Sequence, residues 1–166
     1  MIEFYGTKRV YAEPMTRGAY NDYRGWTLPA DENPADAGYL VEYADGGKPN
    51  DPRHKGYISW SPKAQFDNAY QRTDAMNFGH AIQAMKEGHK VARAGWNGKG
   101  MWVAIQAGST ISSALARGGA AKGRAEEGAT EITILPHIDM RAADGSIVVG
   151  WLASQTDMLA EDWGLV

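Results

Sequence analysis

The chain has 166 residues and no cysteine, which excludes a disulfide framework, a thiol nucleophile and any Cys-ligated zinc or iron–sulfur site. A hydrophobic fraction of 43% supports one ordinary domain or two small ones, and lean cores of that kind gain from association. The net charge of −3 argues against a general nucleic-acid binder, and no signal-peptide h-region or membrane-length apolar run is present, so the expectation is a soluble, cytoplasmic protein.

The chain reads as two modules, residues 1–72 and 76–166, with an α+β fold of small antiparallel sheets and short helices. In the first module, Thr16 caps a predicted short helix through Tyr23, closed by Gly25 and Trp26, with a loop over residues 29–34 carrying Asp31 and Glu32. Residues 39–43 (Tyr-Leu-Val-Glu-Tyr) form a predicted strand, Asp45, Gly46 and Gly47 a turn, and residues 56–60 the returning strand. Ser61 followed by Pro62 predicts an N-cap and first helical position, opening a helix through about Tyr70.

The second module opens on the clearest helix in the chain. Phe78, Ala81, Ile82 and Met85 share one apolar face, Asn77 is the predicted cap and Gly88 the stop. Two predicted strands, residues 90–93 and 101–105, are bridged by a glycine loop. Residues 109–130 are Ala, Gly and Ser with scattered charges, and predict a mobile insertion (core 112–130) or a loosely helical arm, because little apolar surface offsets their ordering entropy. A strand resumes at residues 131–135, and residues 138–142 and 147–152 flank Asp144-Gly145, the strongest hairpin signal present. Residues 156–163 predict a helical or turn segment.

No enzyme constellation assembles from these pieces. His54, His80, His89 and His137 are scattered; His137 and Asp139 share a strand face, which an acid–base or metal site uses but a structural histidine explains more simply. Ser109, Thr110, Ser112 and Ser113 lack a nucleophile elbow, and the glycine loop lacks the Gly-Lys-Ser/Thr of a P-loop. Acid–base work by Asp157, Glu161 and Asp162 stands as the enzymatic alternative, against a solvated acidic face.

Binding chemistry is better represented. No Asp or Glu occurs between Gly88 and Ala125, a stretch holding His89, Lys90, Arg93, Lys99, Arg117, Lys122 and Arg124; this reads as a local anion site or, for residues 117–124, a solvated basic loop. Within it, Gly95, Gly98 and Gly100 frame Trp96, Asn97 and Lys99. Glycines let backbone N–H groups approach a phosphate, an indole offers a base-stacking face, and Arg93 and Lys99 supply positive charge. The competing reading makes one indole a core residue, and Trp102, set in an apolar strand, fits that better. A second cluster, Ser154, Gln155, Thr156 and Asp157, offers dense hydrogen-bonding capacity for ribose and base edges, or merely caps a terminal turn.

Residues 77–82 (Asn-Phe-Gly-His-Ala-Ile) leading to Lys90–Arg93, the loop from Gly95 to Trp102, and residues 151–163 (Trp-Leu-Ala-Ser-Gln-Thr-Asp-Met-Leu-Ala-Glu-Asp-Trp) resemble the second Thoeris anti-defence family of bacteriophages and prophages over about residues 76–166. The first module resembles a phage-encoded fusion partner without an established function, marked by residues 14–17, 23–26, 38–43 and 56–62. The resemblance implies a homotetrameric sponge in the host bacterial cytoplasm. It would sequester cyclic ADP-ribose isomers such as glycocyclic ADP-ribose, and for some members cyclic dinucleotides, without cleaving them. No cofactor, nucleic acid or membrane is implied. Carried onto this sequence, ligand-binding roles fall to Arg93, Trp96, Asn97, Lys99, Ser154, Gln155 and Asp157, with Arg93 and Lys99 as phosphate partners. The departure from the family pattern is the long insertion at 112–130, which bears on ligand choice. A nucleotide-processing enzyme, or a phage protein docking on a host protein through the aromatic first module, are the alternatives.

Overall fold

The computed structural model describes residues 1–45 and 47–166 of an α+β protein. It divides into two compact units, Met1–Gln71 and Arg72–Val166.

The first unit is a three-stranded antiparallel sheet in the order β1 (Val10–Pro14), β2 (Gly38–Tyr43), β3 (Ile58–Pro62), with helices α1 (Arg17–Arg24) and α2 (Lys63–Ala69). Thr16 Oγ1 accepts from Ala19 N at 3.2 Å and Gly25 ends α1 at φ +66°, so the predicted helix forms with both of its end signals in use. Tyr20, Leu40 and Ile58 are buried together, with Met15, Tyr23 and Trp60 packed around them. Strand β1 carries no alternation that marks it in the sequence; its pairing from Val10↔Tyr43 to Pro14↔Tyr39 supplies the order instead. The returning strand runs past Ser61 to Pro62, opposite Gly38, and α2 starts only at Lys63, so Ser61 is a strand residue and not a helix cap. Pro62 is tolerated because β3 is an edge strand at its last residue. The predicted turn at Asp45, Gly46 and Gly47 falls partly outside the described residues, at Gly46.

The long β2–β3 connection is organised by polar contacts rather than by apolar burial. His54 joins Glu42 (Nδ1···Oε2 2.8 Å) to the Tyr23 hydroxyl (2.8 Å), and Glu42 also accepts the amides of Lys55 and Gly56. The His54 hydrogen bond and those two amides hold the Glu42 carboxyl below its ordinary range.

The second unit centres on a five-stranded antiparallel sheet, with β4 (Val91–Arg93), β5 (Trp102–Gln106), β8 (His137–Arg141), β9 (Ile147–Val148) and β10 (Trp163–Leu165) in the order β10-β4-β5-β8-β9. Helix α3 (Phe78–Lys86) buries Ala81, Ala84 and Met85 against Met76, Val91, Val103 and Trp163. Asn77 Oδ1 accepts from His80 N at 2.9 Å and Gly88 takes φ +90°, as the sequence pattern requires. Trp163 has no exposed surface and donates Nε1–H to the Asp157 carbonyl at 3.0 Å, so its indole is both packed and hydrogen-bonded.

Two additions to the expected pattern appear here. The segment after residue 109 takes the helical-arm alternative in part and adds a ladder: β6 (Ser109–Ser112) pairs with β7 (Glu131–Ile134), joined by a 3₁₀ turn at Ser113–Leu115 and by helix α4 (Gly119–Glu126). A two-stranded ladder satisfies the backbone without needing a core, and Ile132 is buried within it, which composition does not show. The chain end keeps the expected helical and turn segment through Asp162 and adds a strand the sequence did not mark. It makes the four-residue helix α5 (Gln155–Met158) and then returns as β10 to pair with β4, Trp163 opposite Arg93. The Asp144-Gly145 hairpin forms with Gly145 at φ +90°, but its second strand stops at Val148, because Gly150 turns the chain at φ +78° and donates its amide to Asp139 Oδ1 at 3.1 Å. Among the described residues no helix is long and apolar enough to cross a membrane.

Candidate ligand-binding site

The β4–β5 loop leaves the sheet at Arg93, which register places opposite Trp163. Arg93 donates Nε to Asp162 Oδ1 at 2.8 Å and Nη1 to Asp157 Oδ1 at 2.9 Å. Its side chain is only 18% exposed, so one guanidinium is shared between two carboxylates in a partly desolvated setting. Asp162 Oδ2 also accepts the Gly95 amide at 2.7 Å, and Asp157 Oδ1 accepts the Trp96 indole N–H at 3.1 Å.

Asp157 sits at the end of a second set of bonds. Ser154 and Asp157 form a reciprocal capping box around the start of α5, with Ser154 Oγ donating to Asp157 Oδ2 at 2.6 Å and receiving the Asp157 amide at 3.2 Å. Burial works to raise the Asp157 carboxyl, but the hydrogen bonds from Ser154, Arg93 and Trp96 outweigh it and hold it at about 2. Asp162 is likewise held below its ordinary range, chiefly by Arg93, and Arg93 is raised by the two carboxylates.

The Trp96 ring completes the knot. It meets Trp151 edge-on at 6.1 Å between centroids and Trp163 at 5.3 Å, a three-indole cluster in the favoured T-shaped geometry. The sequence reading favoured Trp102 as the core indole, and the structure reverses it. Trp96 packs against the core, whereas Trp102 stands half-exposed on β5 with the Lys90 ammonium 4.5 Å from its ring centre. The loop folds back because Ala94 N reaches the Asp162 carbonyl at 3.0 Å, a contact that needs β10 in place.

Beyond Trp96 the loop is open. Asn97, Lys99 and Gly100 are exposed, and among the described residues the amides of residues 97–100 donate to no protein acceptor. Gly98 is forced: a Cβ there would collide with the Met101 side chain and come within 2.8 Å of the Ala143 Cβ. Gly100 takes φ +71°, and its carbonyl accepts Arg141 Nη1 at 2.6 Å. N–H groups without a protein acceptor among the described residues, beside exposed Lys99, are suited to an anion.

The expected site residues therefore divide. Arg93, Trp96, Ser154 and Asp157 are brought together, with Arg93 and Asp157 engaged in holding the fold; Asn97, Lys99 and Gln155 present exposed side chains. Asp162, weighed as an acid–base group, is an Arg93 partner. Arg141 escaped notice, and Trp151 was seen only as part of the closing motif, because strand register and indole packing, and not sequence proximity, bring them to the loop. His137 Nε2 lies 3.4 Å from Asp139, and its Nδ1 is 2.9 Å from the Leu135 carbonyl. Among the described residues no group of three or more His, Asp or Glu side chains gathers to hold a metal ion.

A glycine loop tied to a capped helix, with an indole at its base, marks the candidate site of a small α+β domain. The family model of the Tad2-like, Thoeris anti-defense 2-like domain matches residues 76–166, and the chain belongs to that family. A curated relative, Thoeris anti-defense 2 of Bacillus phage SP01, is 36% identical over 91 residues, which are 55% of this chain and 94% of that protein. The chain is accordingly a phage-type anti-Thoeris protein, with residues 1–75 outside the family-model match.

Proposed function

We propose that the C-terminal unit binds cyclic nucleotide immune signals of the cyclic ADP-ribose type, glycocyclic ADP-ribose first among them and cyclic dinucleotides as further ligands, and sequesters them without cleavage. The observation that carries this reading is the run of amides at residues 97–100 that, among the described residues, donate to no protein acceptor, beside exposed Lys99 on a loop whose base is held by Arg93, Asp157 and Asp162. Preorganised N–H donors bind phosphate without an ordering cost at the moment of binding. Trp96, half-buried at the root of the loop, offers the stacking surface, and Gln155 and Asn97 offer amide groups for ribose and base edges.

Sequestration is favoured over turnover by the state of the acids. A general acid needs a pKa near the working pH, whereas Asp157 is held at about 2 and Asp162 below its ordinary range, both against Arg93. Ser154 is engaged in a helix cap and has no histidine to activate it among its bonding partners.

Self-association belongs to the same reading. β9 is an edge strand with Ile147 and Val148 exposed, continued by exposed Val149 and Leu152, a run of apolar surface that a second copy would cover. A homotetramer with ligand at subunit interfaces is the assembly proposed, in the cytoplasm of the infected host. The first unit exposes Tyr11, Trp26 and Tyr57, which fits a contact with a host protein.

Titration calorimetry of the full chain with glycocyclic ADP-ribose tests the proposal. Saturable binding at a fixed molar ratio, reduced at least tenfold by Trp96→Ala, is expected; flat heats at any concentration overturn it.

A further inference from the structure

We propose that Arg141, and not Arg93, is the arginine that meets the ligand's phosphate, completing an anion cradle with Lys99 and the amides of residues 97–100. This rests on the nucleotide-binding reading of the same loop and adds a residue that neither the loop motif nor the closing motif contains.

Availability decides between the two guanidiniums. Arg93 is doubly ion-paired, at 2.8 and 2.9 Å, and faces the core beside Trp163. Taking it for a phosphate would leave Asp157 and Asp162 without their counter-charge in a partly buried site, a costly exchange. The Arg141 guanidinium makes one hydrogen bond, Nη1 to the Gly100 carbonyl, and among the described residues it enters no ion pair, although its charge helps lower the Asp144 carboxyl nearby. Its remaining N–H groups keep the fork that recognises phosphate in two-point fashion.

The placement is built and not incidental. Arg141 pairs across the sheet with Trp102, the residue that follows the loop, so the β5–β8 register delivers it to the loop's foot. Its guanidinium lies between two glycines that take left-handed conformations, Gly100 at φ +71° and Gly145 at φ +90°. A Cβ on Gly100 would stand 2.9 Å from Nη1 and one on Gly145 3.6 Å from Nη2, so the absence of a side chain at Gly100 keeps the guanidinium's position open. The carbonyl bond holds the arginine against the loop, which puts an exposed ammonium (Lys99) and a tethered guanidinium at one glycine loop. That combination suits a pyrophosphate, whose two groups need more than one point of contact.

The test uses the full chain labelled with nitrogen-15, inorganic pyrophosphate as probe, and the arginine Nε–H and loop amide signals as readout. The Arg141 signal and the amides of residues 97–100 should move together and saturate, with Arg93 unmoved. Arg141→Gln should weaken pyrophosphate about tenfold or more, and Arg141→Lys should restore part of the loss. Circular dichroism establishes that each variant is folded. An unmoved Arg141, a shift at Arg93 in its place, or wild-type affinity in folded Arg141→Gln overturns the assignment. Should pyrophosphate move Arg141 while glycocyclic ADP-ribose fails to bind, the cradle stands and the nucleotide reading falls; should the nucleotide bind with Arg141 unmoved by either, the reverse holds.

Discussion

Two halves of one short loop behave as opposites. From Arg93 to Trp96 every polar group named is engaged: a guanidinium on two carboxylates, an amide on Asp162, an indole N–H on Asp157. From Asn97 to Gly100, among the described residues, the amides donate to no protein acceptor and the arginine beside them enters no ion pair. The difference teaches how a small domain makes a recognition surface. Rigidity comes from charges and indoles tied to each other, and on the proposed function affinity would come from the donors left over next to them. Residue type alone does not say which role a cation plays. Arg93 and Lys99 look interchangeable in the sequence, yet only burial and pairing separate a tie from a contact.

The largest expected effect comes from removing the indole on which the tied half rests. Trp163 is fully buried against Met76, Val91 and Val103, so Trp163→Ala should cost about 3–5 kcal/mol in denaturant unfolding of the C-terminal unit. A loss under about 1 kcal/mol would mean that the knot does not lean on the core.

Acid titration probes the same half by its charge. The folded Asp157 carboxyl sits at about 2 against roughly 3.9 when unfolded, so its contribution is complete above pH ~4 and is lost as pH falls through about 2. That contribution is on the order of 2–3 kcal/mol. Asp157→Asn should lower stability at pH 7 and flatten the profile between about pH 4 and 2; an unchanged acid profile breaks the link between this carboxylate and the loop.

Gly98→Ala acts at the boundary of the two halves. The added methyl meets Met101 and Ala143, and should cost about 1–2 kcal/mol of stability while displacing the amides that follow. Thermal unfolding and nucleotide titration on one preparation will show whether both change, as the close approach requires.

The smallest effect sharpens the comparison furthest. Lys99 is exposed, so Lys99→Ala should leave the unfolding midpoint within about 0.5 kcal/mol of wild type and weaken nucleotide binding severalfold, more so at low salt. A stability loss as large as that of Asp157→Asn would erase the distinction between tied and open halves.

Much of the architecture could be read from the chain. Helix α3 announces itself through Phe78, Ala81, Ile82 and Met85, and both its ends carry the residues that helix ends demand. The glycine loop and the Asp144-Gly145 turn were equally plain. What stayed hidden was set by pairing at a distance. Strand β10 is three residues long and owes its existence to β4, and β1 owes its order to β2. In residues 109–130 the sequence suggested a mobile insertion or a loosely helical arm but not strand β6, because a ladder of backbone hydrogen bonds leaves no mark in composition. At the site, the motif residues were found but their division of labour was not. That Trp96 packs inward and Trp102 stays half-exposed depends on Trp151 and Trp163 closing over the loop from the far end of the domain.

The central claim, capture without chemistry, is tested most directly by mass balance. The full chain is incubated with glycocyclic ADP-ribose below saturation, the free ligand is measured, the protein is denatured by heat and the released ligand is identified by mass spectrometry. The account predicts depletion in proportion to protein and full return of intact cyclic ligand. Recovery of a cleaved product, or no depletion at all, would contradict it.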